Sequence, residues 1–285
     1  MTNKVRLKGN ESFILREGWI KKGLTEVEKN PKIFSDKDAV VYLGIGSNMV
    51  KSLKFYLTTM NLIKNKEGKN NGVELTNLAK LILEYDKYLE DIFTIYLLHL
   101  NFVLDDYNAF VANYIFNNFD NTKLDKENIQ DQIEEYLKYN NISYSDKSLK
   151  DDINSFIKMY TKSEIEDPET DLNSPFSDLY LFKKINNVKI NKIKSEYSNL
   201  NMYVVYYALI KMLKEDKNNI SIESILNTKD SVGKLLNLDK SLLNVYLEEM
   251  KKAGLIEINK TAGLDMIYFN HILTEEEIIK EYFNR

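Results

Sequence analysis

The stretch Ala39–Ser52, AVVYLGIGSNMVKS, holds the residue types from which a phosphate-binding turn can be made. A β-branched run, then Gly44-x-Gly46, then a helix-like segment is how a dinucleotide site begins, because glycines let the backbone approach a pyrophosphate. That chemistry also needs a third glycine, and an acidic residue about 20 positions on to hold the ribose. Met49 stands at the third position, and the chain near residue 64 reads IKNKEGKN, basic where acid is required. The upstream SDKD suits a helix entry better than a strand entry, with Ser35 or Asp36 as the cap. A dinucleotide site is therefore disfavoured, and no cofactor is expected.

The same letters fit a helix-turn-helix, whose chemistry is the neutralisation of phosphates and the reading of base edges. Ala39, Val40 and Leu43 would form the inner face of a first helix, and Gly44 would end it in the left-handed conformation. Ser47 or Asn48 could cap the next helix, where Val50, Leu53, Leu57 and Met60 recur at spacings of 3, 4 and 3 as an inner stripe. The opposite face is expected to present Asn48, Lys51, Ser52, Phe55 and Thr59. Beyond it, KEGKNNG predicts the turn of a hairpin wing carrying Lys64, Lys66 and Lys69, with Thr76 opening a closing helix. Lysines placed there would neutralise the backbone of double-stranded DNA. In FILREGWIKKGL, Trp19 reads as an anchor flanked by Arg16, Lys21 and Lys22, and the two lysines could extend the basic face. A winged helix that docks only protein is the competing expectation.

The elements that must carry this face are helical. The chain has 285 residues, 44% of them hydrophobic, with 10 Gly and 3 Pro, a balance that disfavours an all-β architecture. Residues 1–75 hold 14 Lys/Arg against 8 Asp/Glu, a net +6, while the remaining 210 hold 25 against 35, a net −10. The basic charge is thus concentrated at one end. The pattern predicts a mainly α protein in three parts: a winged helix-turn-helix domain over 1–83, a helical middle domain over 84–195, and a second winged-helix-like domain over 196–285. In the last, SIESILN and SVGKLLNLD predict two short helices. Asp239 caps a longer helix that ends at Gly254, and LIEINKTAGLDMIYF predicts its wing. Its outer face carries Glu248 and Glu249, and its wing carries Lys260 with Asp265, so a structural or partner-binding role suits it better than phosphate contact. SVGKLL is no phosphate loop, because the glycine required five residues before Gly233 is Thr228.

Catalytic groups are sparse. There is no cysteine, which excludes a thiolate nucleophile and Cys-ligated metal. His99 lies in the apolar run IFTIYLLHLNFVL and reads as a hydrogen-bonded core residue; His271, the other histidine, is far away in sequence. Asn101, Asp105 and Asp106 are the alternative set for a metal-dependent nuclease, and Asp151 with Asp152 reads as a solvated helix start. No catalytic residue and no metal site are expected. The 13-residue apolar run is too short to span a bilayer, which takes about 20 residues, and the chain start lacks the apolar core of a signal peptide. A cytoplasmic protein without a membrane partner is expected.

Six ordered blocks carry a resemblance: SFILREGWIKKGL, FSDKDAVVYLGIGSNMVKSLKFYL, YLEDIFTIYLLHLNF, NAFVANYIFNNF, SLKDDINSFIKMY and LNSPFSDLYLF. With them the chain resembles, over nearly its whole length, a family of bacterial proteins known as a domain of unknown function, number 4007 in that series. The resemblance implies a setting in phage-defence gene neighbourhoods, near sulfur-handling enzymes of DNA phosphorothioate modification. It implies no reaction. The expected function is a non-catalytic DNA-binding or target-presenting subunit of such a system, partnered by double-stranded DNA and by a sulfur-handling modification enzyme. A protein–protein adaptor and a winged-helix transcriptional regulator are the alternatives, the latter lacking a heptad pattern for the dimer it would need.

Overall fold

The computed structural model describes residues 4–68, 72–119, 123–162, 173–261 and 264–284. The protein is mainly helical with small antiparallel sheets, and it divides into two compact units, Met1–Lys192 and Ile193–Arg285.

The first unit begins with α1 (Trp19–Lys29), α2 (Ala39–Leu43) and α3 (Ser47–Thr59), followed by the hairpin β1 (Ile63–Asn65) and β2 (Val73–Leu75), then α4 (Asn77–Tyr85). α1 buries Trp19, Ile20, Leu24 and Val27 on one side, the spacing of an amphipathic helix. Gly23 lets it sit close on α3, since a Cβ there would stand 2.7 Å from a Leu57 methyl. Val50, Leu53, Leu57 and Met60 are all buried, as the 3-4-3 spacing predicts. Gly44 ends α2 with φ 59° and ψ 33°, and Thr76 caps α4 by accepting from the Ala79 N–H. The hairpin pairs Ile63 with Leu75 and Asn65 with Val73.

Several expectations fail here. α2 starts at Ala39 after Asp38, not at Ser35 or Asp36, because Ile33–Ser35 closes a separate 3₁₀ turn. Gly46 precedes α3, so neither Ser47 nor Asn48 caps it. Ala39 and Leu43 are buried, but Val40 is 41% exposed on a helix of barely more than one turn.

The rest of this unit packs around α5 (Ile92–Leu104), which is buried from Phe93 to Val103 and is capped by the Asp91 carboxylate. α6 (Phe110–Asn118), β3 (Lys123–Asp125), α7 (Lys126–Tyr139) and α8 (Asp146–Tyr160) follow, then β4 (Phe182–Lys184) and β5 (Lys189–Lys192), with sheet order β3-β5-β4. Phe116, Phe156, Tyr160, Phe176 and Phe182 meet edge-to-face, tilted or stacked, at centroid distances of 4.8–6.0 Å. Such pairs contribute about 0.5–1.5 kcal/mol each beyond the burial of their area. His99 lies in this cluster, fully buried, with Nδ1 2.8 Å from the Tyr160 hydroxyl.

The second unit comprises α9 (Met202–Met212), β6 (Asn219–Ser221), α10 (Ile222–Asn227), α11 (Val232–Leu235), α12 (Lys240–Lys252), β7 (Ile256–Thr261), β8 (Leu264–Phe269) and α13 (Glu275–Phe283). β6 pairs with β8 and β8 with β7, giving a three-stranded sheet. Asp239 caps α12 through the Leu242 N–H. Thr274 and Glu277 close a reciprocal cap on α13, whose first turn carries three glutamates at the end where the helix dipole favours them. No described helix is long and apolar enough to cross a membrane.

Candidate nucleic-acid interface

Residues on every side of α3 except one are buried, so only a narrow strip is free to meet a ligand. Asn48, Lys51 and Thr58 are exposed and Lys54 is half-buried, along one line of the helix. The Lys51 ammonium donates to Asn48 Oδ1 at 3.2 Å, which aims both side chains outward from the first two turns. Lys22 is exposed beside the turn that launches α3: a Cβ at Gly44 would lie 3.8 Å from its Nζ. Asn48, Lys51 and Lys22 are thus gathered about the Gly44–Gly46 bend.

The other expected contacts divide. Lys64 is exposed but sits opposite Glu74 in the hairpin and pairs with it at 3.2 Å. It contributes little net charge there. Lys66 is half-buried, with its backbone N–H bonded to Gly72, and Lys69 lies outside the described residues. Lys21 turns toward Tyr88, its ammonium 3.8 Å from the ring centroid, and is engaged in a cation–π contact.

Ser52 and Phe55 do not lie on the outer face expected of them. Both are buried, as is Thr59. The segment before α1 lies across that side of α3. The Arg6 guanidinium stands 5.3 Å from the Phe55 ring centre, and Gly9 sits so close to the ring that a Cβ would come within 2.4 Å of it. Below it the Tyr56 hydroxyl donates to the Phe13 carbonyl at 2.8 Å. A helix covered on two sides has no room for the wide polar face that its sequence implies. Thr58, seven residues after Lys51 and thus close to two full turns on, belongs to the same line.

The acids of the middle region are placed as follows. Asp105 follows α5 and accepts from the backbone and the side chain of Asn108, while Asp106 is exposed. Asp151 and Asp152 are not at a helix start, because α8 begins at Asp146 behind a Ser145 cap. They anchor the segment before α1: Asp152 accepts from the Lys8 N–H at 2.8 Å, and Asp151 pairs with the Lys8 ammonium at 3.3 Å and accepts from Ser12 Oγ. Burial raises the Asp152 carboxyl to about 7, against the opposing pull of the Lys8 N–H. Among the described residues, no three His, Asp or Glu side chains come together as a metal-binding group.

The fold and this strip together define a mainly helical protein whose first unit offers a short helix, a glycine bend and a longer helix with an amide-and-lysine edge. Residues 7–283 match the family described as "Protein of unknown function (DUF4007)", and the chain belongs to that family. Two solved structures, described as "SspB crystal structure" and "Magnesium ion-bound SspB crystal structure", are similar in fold. Each has a TM-score of 0.86 at 19% sequence identity, covering 98% of this chain and 88% of that one.

Proposed function

We propose that this chain is a cytoplasmic DNA-binding or target-presenting subunit of a bacterial DNA modification and phage-defence system of the phosphorothioation type. In this reading the chain holds duplex DNA instead of cleaving it, and it works beside a sulfur-handling modification enzyme. The observation that carries the reading is the exposed Lys22, Asn48 and Lys51 group at the start of α3. We read α1–α3 with β1–β2 as one winged helix, and α9–α12 with β6–β8 as a second, the helical middle lying between them in sequence. Lysine and asparagine at the start of a second helix are suited to backbone phosphates and to adenine edges. The modification setting is supported by the family to which the chain belongs and by the blocks that resemble it.

Electrophoretic mobility shift with a duplex at low and physiological salt tests this. If about three phosphates are neutralised, affinity falls roughly 40-fold between about 50 and 200 mM salt. Lys22→Glu with Lys51→Glu is expected to abolish the shift. Absence of a shift with any duplex at low salt would falsify direct DNA contact.

One observation favours a second reading, magnesium-dependent phosphodiester cleavage. A structure similar in fold is described as magnesium-bound, and Mg²⁺ is often held by only one or two carboxylates plus substrate phosphates. Asp105 with Asp106, or Asp151 with Asp152, would supply them here. Nicking of supercoiled plasmid that needs magnesium and disappears in Asp105→Asn/Asp106→Asn or Asp152→Asn would establish it. Intact plasmid in magnesium would dismiss it.

A further inference from the structure

The first unit has a second basic feature, remote in sequence from α3. A cleft of about 490 Å³ is lined by Arg16, Lys126, Lys158, Lys162 and Lys184, and no carboxylate lines it among the described residues. Its remaining polar lining is hydroxyl and amide, including Ser12, Thr161 and Asn173. The five cations come from four places: the segment before α1, the first residue of α7, the end of α8 with the residues just after it, and the last residue of β4. Asn154 and Lys158 lie one turn apart on α8 and share an edge, and Lys162 reaches the same cleft just after the helix ends.

Two of these cations are already engaged. Lys162 pairs with Asp178 at 3.0 Å and reaches the Tyr180 hydroxyl, and Arg16 lies over the Trp19 ring. Lys126, Lys158 and Lys184 form no ion pair with any described residue. Burial and then the nearby Lys184 and Lys158 push the Lys126 ammonium below its ordinary range. Gathering like charges costs free energy unless an anion offsets it. The volume suits a small ligand, whose usual pocket spans about 300–1,000 Å³. A described lining of cations, hydroxyls and amides selects for clustered negative oxygens over apolar ligands.

We infer that this cleft is a binding site for clustered phosphate oxyanions, supplied either by a nucleic-acid strand or by a free nucleoside polyphosphate. It is separate from the α3 strip and does not depend on duplex binding there. Lys126, Lys158 and Lys184 hold the phosphates; Ser12, Thr161 and Asn173 supply neutral hydrogen bonds at the rim.

The test uses the full chain and three probes: inorganic tripolyphosphate, ATP and a short single-stranded oligonucleotide, each titrated by calorimetry or anisotropy. Lys126→Gln/Lys158→Gln/Lys184→Gln is expected to weaken binding by about tenfold or more, and to reduce the salt slope for the oligonucleotide by about 2. Lys147→Gln/Lys150→Gln, which removes two charges from α8 outside the cleft, controls for loss of surface charge and should bind as the parent does. Loss of like-charge crowding should leave the glutamine triple variant at least as resistant to heat, which separates lost binding from lost folding. Binding of ATP and tripolyphosphate without the oligonucleotide identifies a free polyphosphate as the source; binding of the oligonucleotide identifies a strand, and either outcome supports the site. The proposal is overturned if no probe binds at low salt, or if the triple variant binds as the parent does. It is also overturned if binding appears only after Glu164, Glu166, Asp167, Glu169 and Asp171 are neutralised, since the chain's own acids would then be the anions. Duplex binding by the Lys22→Glu/Lys51→Glu variant is measured in parallel, so that failure at α3 and failure at the cleft are read separately.

Discussion

α3 of the first unit and α12 of the second occupy the same place in two series of elements, a short helix before and a hairpin after, yet they expose different side chains. α3 starts from a glycine without a side-chain cap, and Asn48 and Lys51 stand exposed at its start. α12 is capped by Asp239, whose carboxylate also pairs with Lys194 at 3.2 Å. Both influences, the Leu242 N–H first, hold that carboxyl below its ordinary range. Further along α12, Val245 and Glu248 are exposed and Glu249 accepts from the Tyr197 hydroxyl at 2.6 Å. The hairpins differ as well: β1 and β2 have three residues each, whereas β7 and β8 have six each and are joined by β6. One order of elements therefore serves two surfaces, and the side chains left outside by packing decide what each can meet.

The sharpest way to break this comparison is to exchange the charges. Lys22→Glu/Lys51→Glu is expected to reduce duplex affinity by about 50-fold or more at low salt. The matched change in the second unit, Lys240→Glu/Lys260→Glu, should alter it less than about twofold. Equal losses from the two pairs, measured by mobility shift, would place DNA contact in both units and erase the distinction.

A second test concerns what holds the segment over α3; the segment over α12 is held differently, by the Tyr197 hydroxyl donating to Glu249 and the Tyr246 hydroxyl donating to the Leu200 carbonyl. The Asp152 carboxyl titrates near 7 in the folded chain, against about 4 when unfolded. Between those values the folded state binds more protons than the unfolded state, so the stability contributed by the protonated carboxyl is lost as pH rises from about 4 to 7. Asp152→Asn keeps an acceptor for the Lys8 N–H and removes the titration. Its urea midpoint should equal that of the parent near pH 4, exceed it at pH 8, and vary less between. Trp19, the only tryptophan and buried on α1, reports on the first unit alone. An unchanged pH profile would assign the titration to other groups.

How much of this contrast the residues announce depends on the range of the forces involved. Local features are legible: the Val50–Met60 stripe, the left-handed Gly44, the Thr76 and Asp239 caps and the two hairpins each depend on neighbours a few positions away. Phe55 is not on the outer face because Arg6 and Gly9 lie against it, an approach that no helical period encodes, and Ser52 is buried on the same helix. Asp151 and Asp152 were misread for the same reason, their partner Lys8 lying more than 140 positions earlier. The cationic cleft is not legible in the sequence, because Arg16, Lys126, Lys158, Lys162 and Lys184 form no run in it. Only the packing of α7, α8 and β4 makes them neighbours.

The exposed side of α2 offers a test of protein docking that is independent of charge. Val41 is 75% and Tyr42 58% exposed, next to Val40. Val41→Asp/Tyr42→Ser should leave duplex binding within about twofold and the unfolding free energy within about 0.5 kcal/mol of the parent, as surface changes do. If the N-terminal unit is an adaptor, a modification enzyme that co-purifies after nuclease treatment is lost in this variant and retained in Lys22→Glu/Lys51→Glu. The reverse pattern assigns the association to DNA.

The smallest expected effects lie in the caps, and they bear on why α3 and α12 begin differently. Asp239→Ala should cost about 1 kcal/mol, the usual value of an N-cap carboxylate, seen as faster amide exchange in the first turn of α12. For α3 the sign is reversed. Gly46 has φ −63° and ψ 158°, a conformation open to any residue, and a Cβ there would meet nothing closer than the Met49 sulfur at 3.9 Å. Gly46→Ser therefore adds a hydroxyl able to accept from the Met49 N–H and removes unfolded-state freedom, for a gain of about 0.5–1 kcal/mol in the Trp19 transition. Gly44→Ala, two positions earlier at φ 59°, should lose about 1 kcal/mol because L-residues resist that conformation. If Gly46→Ser stabilises the first unit and also weakens duplex binding, the uncapped N–H groups at the start of α3 are held open for a phosphate. If it stabilises without affecting binding, the glycine is a turn residue only, and the DNA contact belongs to the side chains of Lys22, Asn48 and Lys51.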